Sequence, residues 1–318
     1  MTPTVKCPVA ILGSGDVGTD LMMKILRSDG PLTVGALVGL DPEPGGLARA
    51  ERLGVLTSPA GIDGLPAMPE FGDIGIVFDA TPAGAPRVNR AELEGTGLCV
   101  LDLNPAVVGP HCVPAVNLED HLDTPILNLV TGAGQATVPI VAAVGRVGAV
   151  SYAETVTAVA AKSADPATRA TIDESIETTA AALRTVGGAR RARPIFIINP
   201  ADPPILMRNT VYCLVAGDVP RGDIEQSIAA MVDRVTSYVP GYRLKQRVQF
   251  ETFTATDPLH IPETGGFTGT RVTVLVEVTA GEPHLPGYAG NLEMMTSAAK
   301  AAAERIALHR SRTAGAAT

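Results

Sequence analysis

Val9-Ala10-Ile11-Leu12-Gly13-Ser14-Gly15-Asp16-Val17-Gly18-Thr19-Asp20 is an apolar run that breaks into a Gly-x-Gly-x-x-Gly turn. Leu21-Met22-Met23-Lys24-Ile25-Leu26-Arg27, which follows, is compatible with a helix. In a dinucleotide-binding βαβ unit each glycine has its own task. Gly13 allows the tight turn, Gly15 lets backbone approach a pyrophosphate, and Gly18 lets the helix pack close to the strand. The pyrophosphate then rests on the free N–H groups and the positive end of that helix. Glycine-rich turns are common, and an ordinary strand-turn-helix has the same look, so the neighbourhood carries weight. A second apolar run, Leu32-Thr33-Val34-Gly35-Ala36-Leu37-Val38-Gly39-Leu40, ends at Asp41. An acidic residue at that place receives the ribose hydroxyls and repels a 2′-phosphate. The expected site is therefore one for NAD(H) ahead of NADP(H), formed by Gly13, Ser14, Gly15, Asp16, Val17, Gly18 and Asp41. Arg49 and Arg52 lie downstream and soften that preference.

With 318 residues, the chain is long enough for two domains and a large core. Only 3% of residues are aromatic and there is no Trp, so Ala, Val, Leu and Ile must fill that core. The formal charge of −8 argues against nucleic acid as a partner. Mean hydropathy is +0.22, yet no apolar run approaches the length of a membrane span. The first strand begins almost at once, so no signal peptide is expected, and four widely spaced cysteines fit a reducing, cytoplasmic setting. No His, Cys and Asp grouping has metal-ligand spacing.

Beyond Asp41 strand and helix patterns alternate. Ile74 to Ala80 is an apolar strand ending at Thr81-Pro82-Ala83-Gly84, a turn at a strand's carboxyl end, where doubly wound sheets bind ligands. Leu98 to Leu103 and Ile126 to Val130 are further strands, and Val138 to Val147 reads as a helix with Pro139 in its first turn. Past Val150 the composition changes. Tyr152 to Ala161 alternates as a half-buried strand, Arg169 to Gly187 reads as one long helix, and Ile195 to Ile198 as a short buried strand. Val211 to Val215, Val248 to Phe253 and Arg271 to Val278 add strands, and an Ala-rich helix from about Asn291 to His309 is expected to return to the first domain. The tail from Thr313 reads as unstructured. The expected architecture is α/β: a Rossmann-type doubly wound parallel sheet plus an α+β second domain with a mainly antiparallel sheet. The expected boundaries are 1–131 for an NAD-binding domain, with the helix 291–310, and 132–290 for a substrate and dimerisation domain.

The segment Asn128-Leu129-Val130-Thr131-Gly132-Ala133-Gly134-Gln135-Ala136-Thr137 resembles the acylating acetaldehyde dehydrogenases that partner aldolases in aromatic meta-cleavage pathways. The likeness extends along nearly the whole chain. It takes in Gly13-Ser14-Gly15, Lys162-Ser163-Ala164, Thr168-Arg169-Ala170, Asn199-Pro200-Ala201, Val239-Pro240-Gly241-Tyr242-Arg243-Leu244-Lys245-Gln246 and Tyr288-Ala289-Gly290-Asn291-Leu292. The resemblance implies a reaction in which a cysteine thiolate attacks an aldehyde, hydride passes to NAD, and CoA takes the acyl group. It also implies that the nucleophilic cysteine stands where this chain has Gly132, and an aspartate where it has Asn209. A glycine has no side chain for covalent catalysis, and an amide is no carboxylate base.

Cofactor residues are better kept. The resemblance assigns Ser163, Ala164, Asp165, Pro166, Ala167, Thr168, Arg169, Ala170 and Thr171 to a segment lining NAD(H), although the family's usual last Asn is Thr171 here. Asn291 matches an asparagine near the nicotinamide amide, and Thr81 lies at the strand end beside the expected crevice. His111, in a loop at a strand's carboxyl end, is a candidate general acid. Cys213 is the one thiol worth testing as a replacement nucleophile. The expectation is an NAD(H)-dependent oxidoreductase that moves hydride to or from a carbonyl or imine without acyl-enzyme or CoA. The alternatives are a catalytically silent subunit that binds an aldolase-type partner, or an acylating enzyme that uses another thiol. A homodimer through the second-domain sheet is implied by the resemblance.

Overall fold

The computed structural model describes residues 6–40, 45–81, 86–105, 109–164, 166–261, 265–281 and 284–316. The chain divides into two compact units, Met1–Thr131 with Met295–Thr318, and Gly132–Met294.

The first unit is a parallel sheet of β1 (Cys7–Leu12), β2 (Leu32–Val38), β3 (Leu56–Ser58), β4 (Ile76–Asp79), β5 (Cys99–Asp102) and β6 (Ile126–Asn128). Their order is β3-β2-β1-β4-β5-β6, the reversal at β1 and β4 that defines a doubly wound sheet. Successive side chains of a strand point to opposite faces. In β1, Val9 and Ile11 enter a core with Leu37, Phe78, Leu101 and Leu127, while Ala10 and Leu12 enter another with Val38, Val77 and Val100. Both faces are dry, which is why these strands read as unbroken apolar runs. Helices α1 (Asp16–Leu26), α2 (Gly46–Arg52), α3 (Pro86–Leu93) and the single turn α4 (Pro114–Asn117) connect them.

The second unit carries α5 (Gly132–Gly145), β7 (Val150–Ala160), α6 (Pro166–Ala170), α7 (Ile172–Thr185), β8 (Ala192–Asn199), β9 (Met207–Val215) and α8 (Arg221–Thr236). Strands β10 (Tyr242–Leu244), β11 (Gln249–Phe253), β12 (Leu259–Ile261), β13 (Gly265–Phe267) and β14 (Gly269–Val278) complete it. Its main sheet runs β10-β14-β9-β7-β8, with β11 also on β14, and only β7 and β8 are parallel. Met207, Asn209, Val211, Cys213 and Val215 on β9 are buried on alternate positions. Residues Ile224, Ile228, Met231 and Val235 of α8 recur at helical spacing and are buried too. The intervening positions Tyr152, Glu154, Val156, Thr210 and Tyr212 are only half-buried.

The last helix, α9 (Gly290–Ala316), begins in the second unit and ends in the first. Its Ala299, Ala302, Ala303 and Ile306 join the first unit's core, where small side chains let the helix lie close. Thr296 Oγ1 donates to the buried Asp20 Oδ2 at 2.6 Å, and Arg310 Nη1 donates to the Gly75 carbonyl at 3.0 Å.

Four local expectations need correction. Helix α5 starts at Gly132, six residues before the expected start, and Pro139 lies inside it. Thirteen consecutive α5 residues are buried, so packing overrides the weak helix propensity of its glycines. The segment from Arg169 to Gly187 is two helices that break at Thr171. There Arg169 turns back to the Ala161 and Ala164 carbonyls, and Thr171 becomes the cap of α7. Strand β8 is an edge whose Ile197 is 42% exposed, so it is not a buried strand. The tail expected to be unstructured is helical as far as Ala316.

Candidate functional site

In the first unit the glycine turn joins β1 to α1. Gly13 has φ +108°, and a Cβ on it would sit 2.4 Å from the Ala80 carbonyl oxygen. One on Gly18 would sit 1.8 Å from the Gly13 oxygen. Both positions are closed to any side chain. Gly15 is different: it is exposed, and a Cβ there would meet nothing within 4 Å. It caps α1 without a side-chain hydrogen bond, so first-turn N–H groups have no side-chain cap. Ser14 is half-buried, and its backbone oxygen accepts from Thr19 Oγ1 at 3.1 Å, which holds the turn. Asp16 is exposed and Val17 half-buried at the start of α1. Asp41 lies outside the described residues.

Sequence reading missed a polar network at the carboxyl ends of β4, β5 and β6. Asp79 Oδ1 accepts from the Thr81 N–H at 3.1 Å and Oγ1 at 2.5 Å, and its Oδ2 from Asn89 Nδ2 at 2.9 Å. Asp102 Oδ1 accepts from the Asn104 N–H and Nδ2, and its Oδ2 from Asn128 Nδ2 at 3.0 Å. Both carboxyls are 2% exposed. Burial pushes Asp102 up to about 6 against the pull of those amide donors, with Asp79 adding repulsion. The signal was present as an Asp at each strand end, but nothing local said that the two are register neighbours. His111 makes an isolated bridge to Asn128, and burial lowers its ring below the usual imidazole value. The lowered value leaves a smaller share of the imidazolium form at neutral pH.

Val130, in the loop before α5, has φ +58°, a left-handed conformation that costs a β-branched residue about 1–3 kcal/mol. Asn128 Oδ1 accepts the Val130 N–H at 2.9 Å and holds it there.

In the second unit Gly132 is the first residue of α5 and is buried. The Asn291 carbonyl oxygen lies 2.4 Å from where a Gly132 Cβ would be. Asn291, at the start of α9, donates through Nδ2 to the Ser163 carbonyl at 3.2 Å, and its buried Oδ1 has no hydrogen-bond partner. Ser163 is buried and its Oγ donates to the Ala160 carbonyl at 2.9 Å; Ala164 is buried beside it. Asp165 lies outside the described residues. Pro166 opens α6, followed by Ala167; Thr168 and Thr171 are half-buried, Ala170 exposed, and Arg169 holds the turn through Ala161 and Ala164. The structure therefore brings Gly132, Asn291 and Ser163 together. Asn209 stands on β9 opposite Thr157 of β7, whose Oγ1 donates to Asn209 Oδ1 at 2.8 Å. Asn209 is 1% exposed and its Nδ2 has no hydrogen-bond partner. Buried Tyr242 anchors α5 by donating to the Ala136 carbonyl at 2.9 Å.

No thiol is poised to replace a nucleophile. Cys213 is fully buried and desolvation pushes it up to about 12; Cys112 reaches about 12 and Cys99 about 11 for the same reason. Burial raises Cys7 as well. None carries appreciable thiolate at neutral pH. Among the described residues no group of three or more His, Cys, Asp or Glu could hold a metal ion, and no helix is long and apolar enough to cross a membrane.

The family model for prokaryotic acetaldehyde dehydrogenase, dimerisation, matches residues 132–286, from α5 past β14. An acetaldehyde dehydrogenase of Paraburkholderia phytofirmans is 56% identical over 305 residues, covering 96% of this chain and 97% of its own. The chain belongs to the acetaldehyde dehydrogenase family. Acetaldehyde dehydrogenase 1 of Parafrankia sp. is likewise 56% identical over 306 residues, 96% of this chain and 94% of its own. A relative from Mycolicibacterium vanbaalenii is 95% identical over all 318 residues of both chains, and is named "Probable inactive acetaldehyde dehydrogenase 1". Within one acetaldehyde dehydrogenase family, then, this chain stands beside a member whose name differs from the other two by the words "Probable inactive".

Proposed function

We propose that the chain is an NAD(H)-dependent oxidoreductase of the acetaldehyde dehydrogenase family that moves hydride directly to or from a carbonyl or imine, without acyl-enzyme or CoA. One observation carries the reading: Gly15 is exposed and open where Gly13 and Gly18 are shut by backbone. An open glycine at an uncapped helix start suits a pyrophosphate, whose oxygens accept the free N–H groups. In the second unit the unpartnered Asn291 Oδ1 is an acceptor that a carboxamide N–H would satisfy. Gly13 to Gly18, Thr81, Ser163 to Thr171 and Asn291 are the residues we assign to holding NAD(H), which when bound supplies or takes the hydride. Asn291 and Arg169 position their segments and make no covalent contact with substrate. Position 132 holds no nucleophile and, on the family resemblance, is where the thiol has been lost. The word "inactive" in the 95% identical relative's name accords with that loss.

The test is calorimetric titration of the wild-type protein and Gly15→Ala with NADH and NAD. Micromolar binding that weakens in the variant supports the reading. Absence of binding to either nucleotide sinks it. Carbonyls and amines would then be screened with no CoA present.

The relative's name also favours a second reading, a catalytically silent subunit that binds an aldolase-type partner. Co-purification with an aldolase, without nucleotide binding or turnover, would support it. In either case we assign homodimerisation to the half-buried sheet face of Tyr152, Val156, Thr210 and Tyr212, within the span of the matched dimerisation model. Light scattering at two protein concentrations tests it.

A further inference from the structure

On β14, Val276 and Val278 are buried in the core of the second unit, so Glu277 between them points to the other face of the sheet. The antiparallel register sets an arginine beside it on each neighbouring strand, Arg208 of β9 and Arg243 of β10. Lys245 follows two residues after Arg243, and its N–H is tied to the Leu275 carbonyl at 2.8 Å. All three cations converge on one carboxylate. Arg243 Nη2 donates to Glu277 Oε1 at 2.6 Å, while Arg208 Nε and Lys245 Nζ stand 3.5 and 4.0 Å from Oε2. The Glu277 side chain is 9% exposed, but those of Arg208, Arg243 and Lys245 are 50%, 63% and 39% exposed.

One carboxylate does not balance three cations. The Arg243 hydrogen bond holds the Glu277 carboxyl below the usual carboxylate range, so it is charged at neutral pH and positive charge remains in excess. Burying Glu277 needs one close donor, and Arg243 is that donor. At their distances Arg208 and Lys245 make no good hydrogen bond to it, and such half-exposed ion pairs add little stability. Gathering like charges at one point is itself unfavourable. Among the described residues no second carboxylate pairs with any of the three. What the cluster does offer is unused N–H donors at the surface, in the fork geometry that suits an oxyanion.

We propose that Arg208, Arg243 and Lys245 form a binding site for a phosphate dianion, either free or as the end group of a phosphomonoester. A doubly charged oxyanion cancels the excess and accepts from both guanidinium groups, whereas a carboxylate cancels only half of it. Arg208 shares its strand face with Thr210 and Tyr212, so the site lies at one end of the face assigned to a second copy. The proposal is independent of the hydride reading.

The experiment is calorimetric titration of the full chain with phosphate, sulfate and acetate at constant ionic strength. Wild type should bind phosphate and sulfate, and acetate about tenfold more weakly or worse. Arg208→Gln and Arg243→Gln should each weaken phosphate by about tenfold or more, the effect of losing a charged hydrogen bond. Arg243→Lys keeps the charge without the fork and should fall between, which also guards against a folding defect. Arg221→Gln removes a cation elsewhere on the surface and should change nothing. The glycine turn of the first unit is a second place for phosphate oxygens, and Gly15→Ala tells the two apart: arginine-dependent phosphate binding should survive that change. Phosphate binding lost in Gly15→Ala but kept in both glutamine variants would overturn the proposal. So would no phosphate binding by wild type, or equal affinity for phosphate and acetate. Phenyl phosphate bound as tightly as phosphate assigns the site to a monoester, and weaker binding assigns it to the free ion. Arginine-dependent phosphate binding without NADH binding removes the redox reading and leaves this site, and NADH binding with variant-insensitive phosphate binding does the reverse.

Discussion

The backbone carbonyl of Asn291 occupies the space that a side chain on Gly132 would need, at 2.4 Å from an ideal Cβ. The obstacle is backbone, so it cannot swing aside as the end of a flexible side chain would. Placing a cysteine at position 132 is therefore an overpacking substitution as well as a chemical one. Gly132→Cys and Gly132→Ala should each cost about 1–3 kcal/mol and lower Tm by several degrees. Gly132→Cys should form no acyl-CoA from acetaldehyde, NAD and CoA. Thermal unfolding and a CoA-dependent NADH assay check it; an unchanged Tm would show that Asn291 yields freely.

The three glycines of the first turn should separate folding from binding. Gly15→Ala meets open space at an extended φ of −71°, so its Tm should stay within a degree or two while NADH affinity falls. Gly18→Ala drives a methyl into the Gly13 carbonyl and should unfold more easily by about 2 kcal/mol or more. Paired melting curves and titrations give the answer, and equal effects of the two changes would contradict it.

The cysteines should be silent in the native state. Cys7, Cys99, Cys112 and Cys213 are raised by burial, three of them to about 11 or 12. Near neutral pH a thiol-reactive disulfide dye should release its colour slowly from native protein and count four thiols only after denaturation. A rapid native reaction at Cys213 would revive a thiol mechanism.

Asp102 predicts the sign of one pH effect. Its folded value of about 6 lies above the ordinary 3.8, so between them the folded state holds a proton that the unfolded state has released. This group's contribution to stability falls as pH rises through that window and is fully lost above about 6. The difference in Tm between wild type and Asp102→Asn should change across that interval, in the direction of wild type gaining as pH falls. Other carboxylates cancel in the difference. A flat difference would mean that the amide donors of Asn104 and Asn128 cancel the effect of burial.

The doubly wound sheet was legible because its signals are local. Val9 to Leu12 alternates between two dry faces within one strand, and the glycine turn is six residues long. The family was legible too, since its blocks recur in order. The start of α5 was not, because Gly132, Ala133 and Gly134 have the propensity of a loop and only their burial under the second unit's sheet makes them helical. The same holds for the break at Thr171, which depends on a guanidinium folding back on two carbonyls.

By itself the sequence determined which side chains exist: no thiol at position 132, an amide at 209, glycines where backbone must come close. Those are covalent facts, settled before folding. Only the tertiary structure decided what surrounds them. It laid the Asn291 carbonyl on Gly132, set Thr157 opposite Asn209 across a strand pair, and placed Asp79 beside Asp102. Each of those pairings joins residues distant along the chain, and their free energies depend on burial and on the direction of single hydrogen bonds. Neither quantity is carried by local pattern.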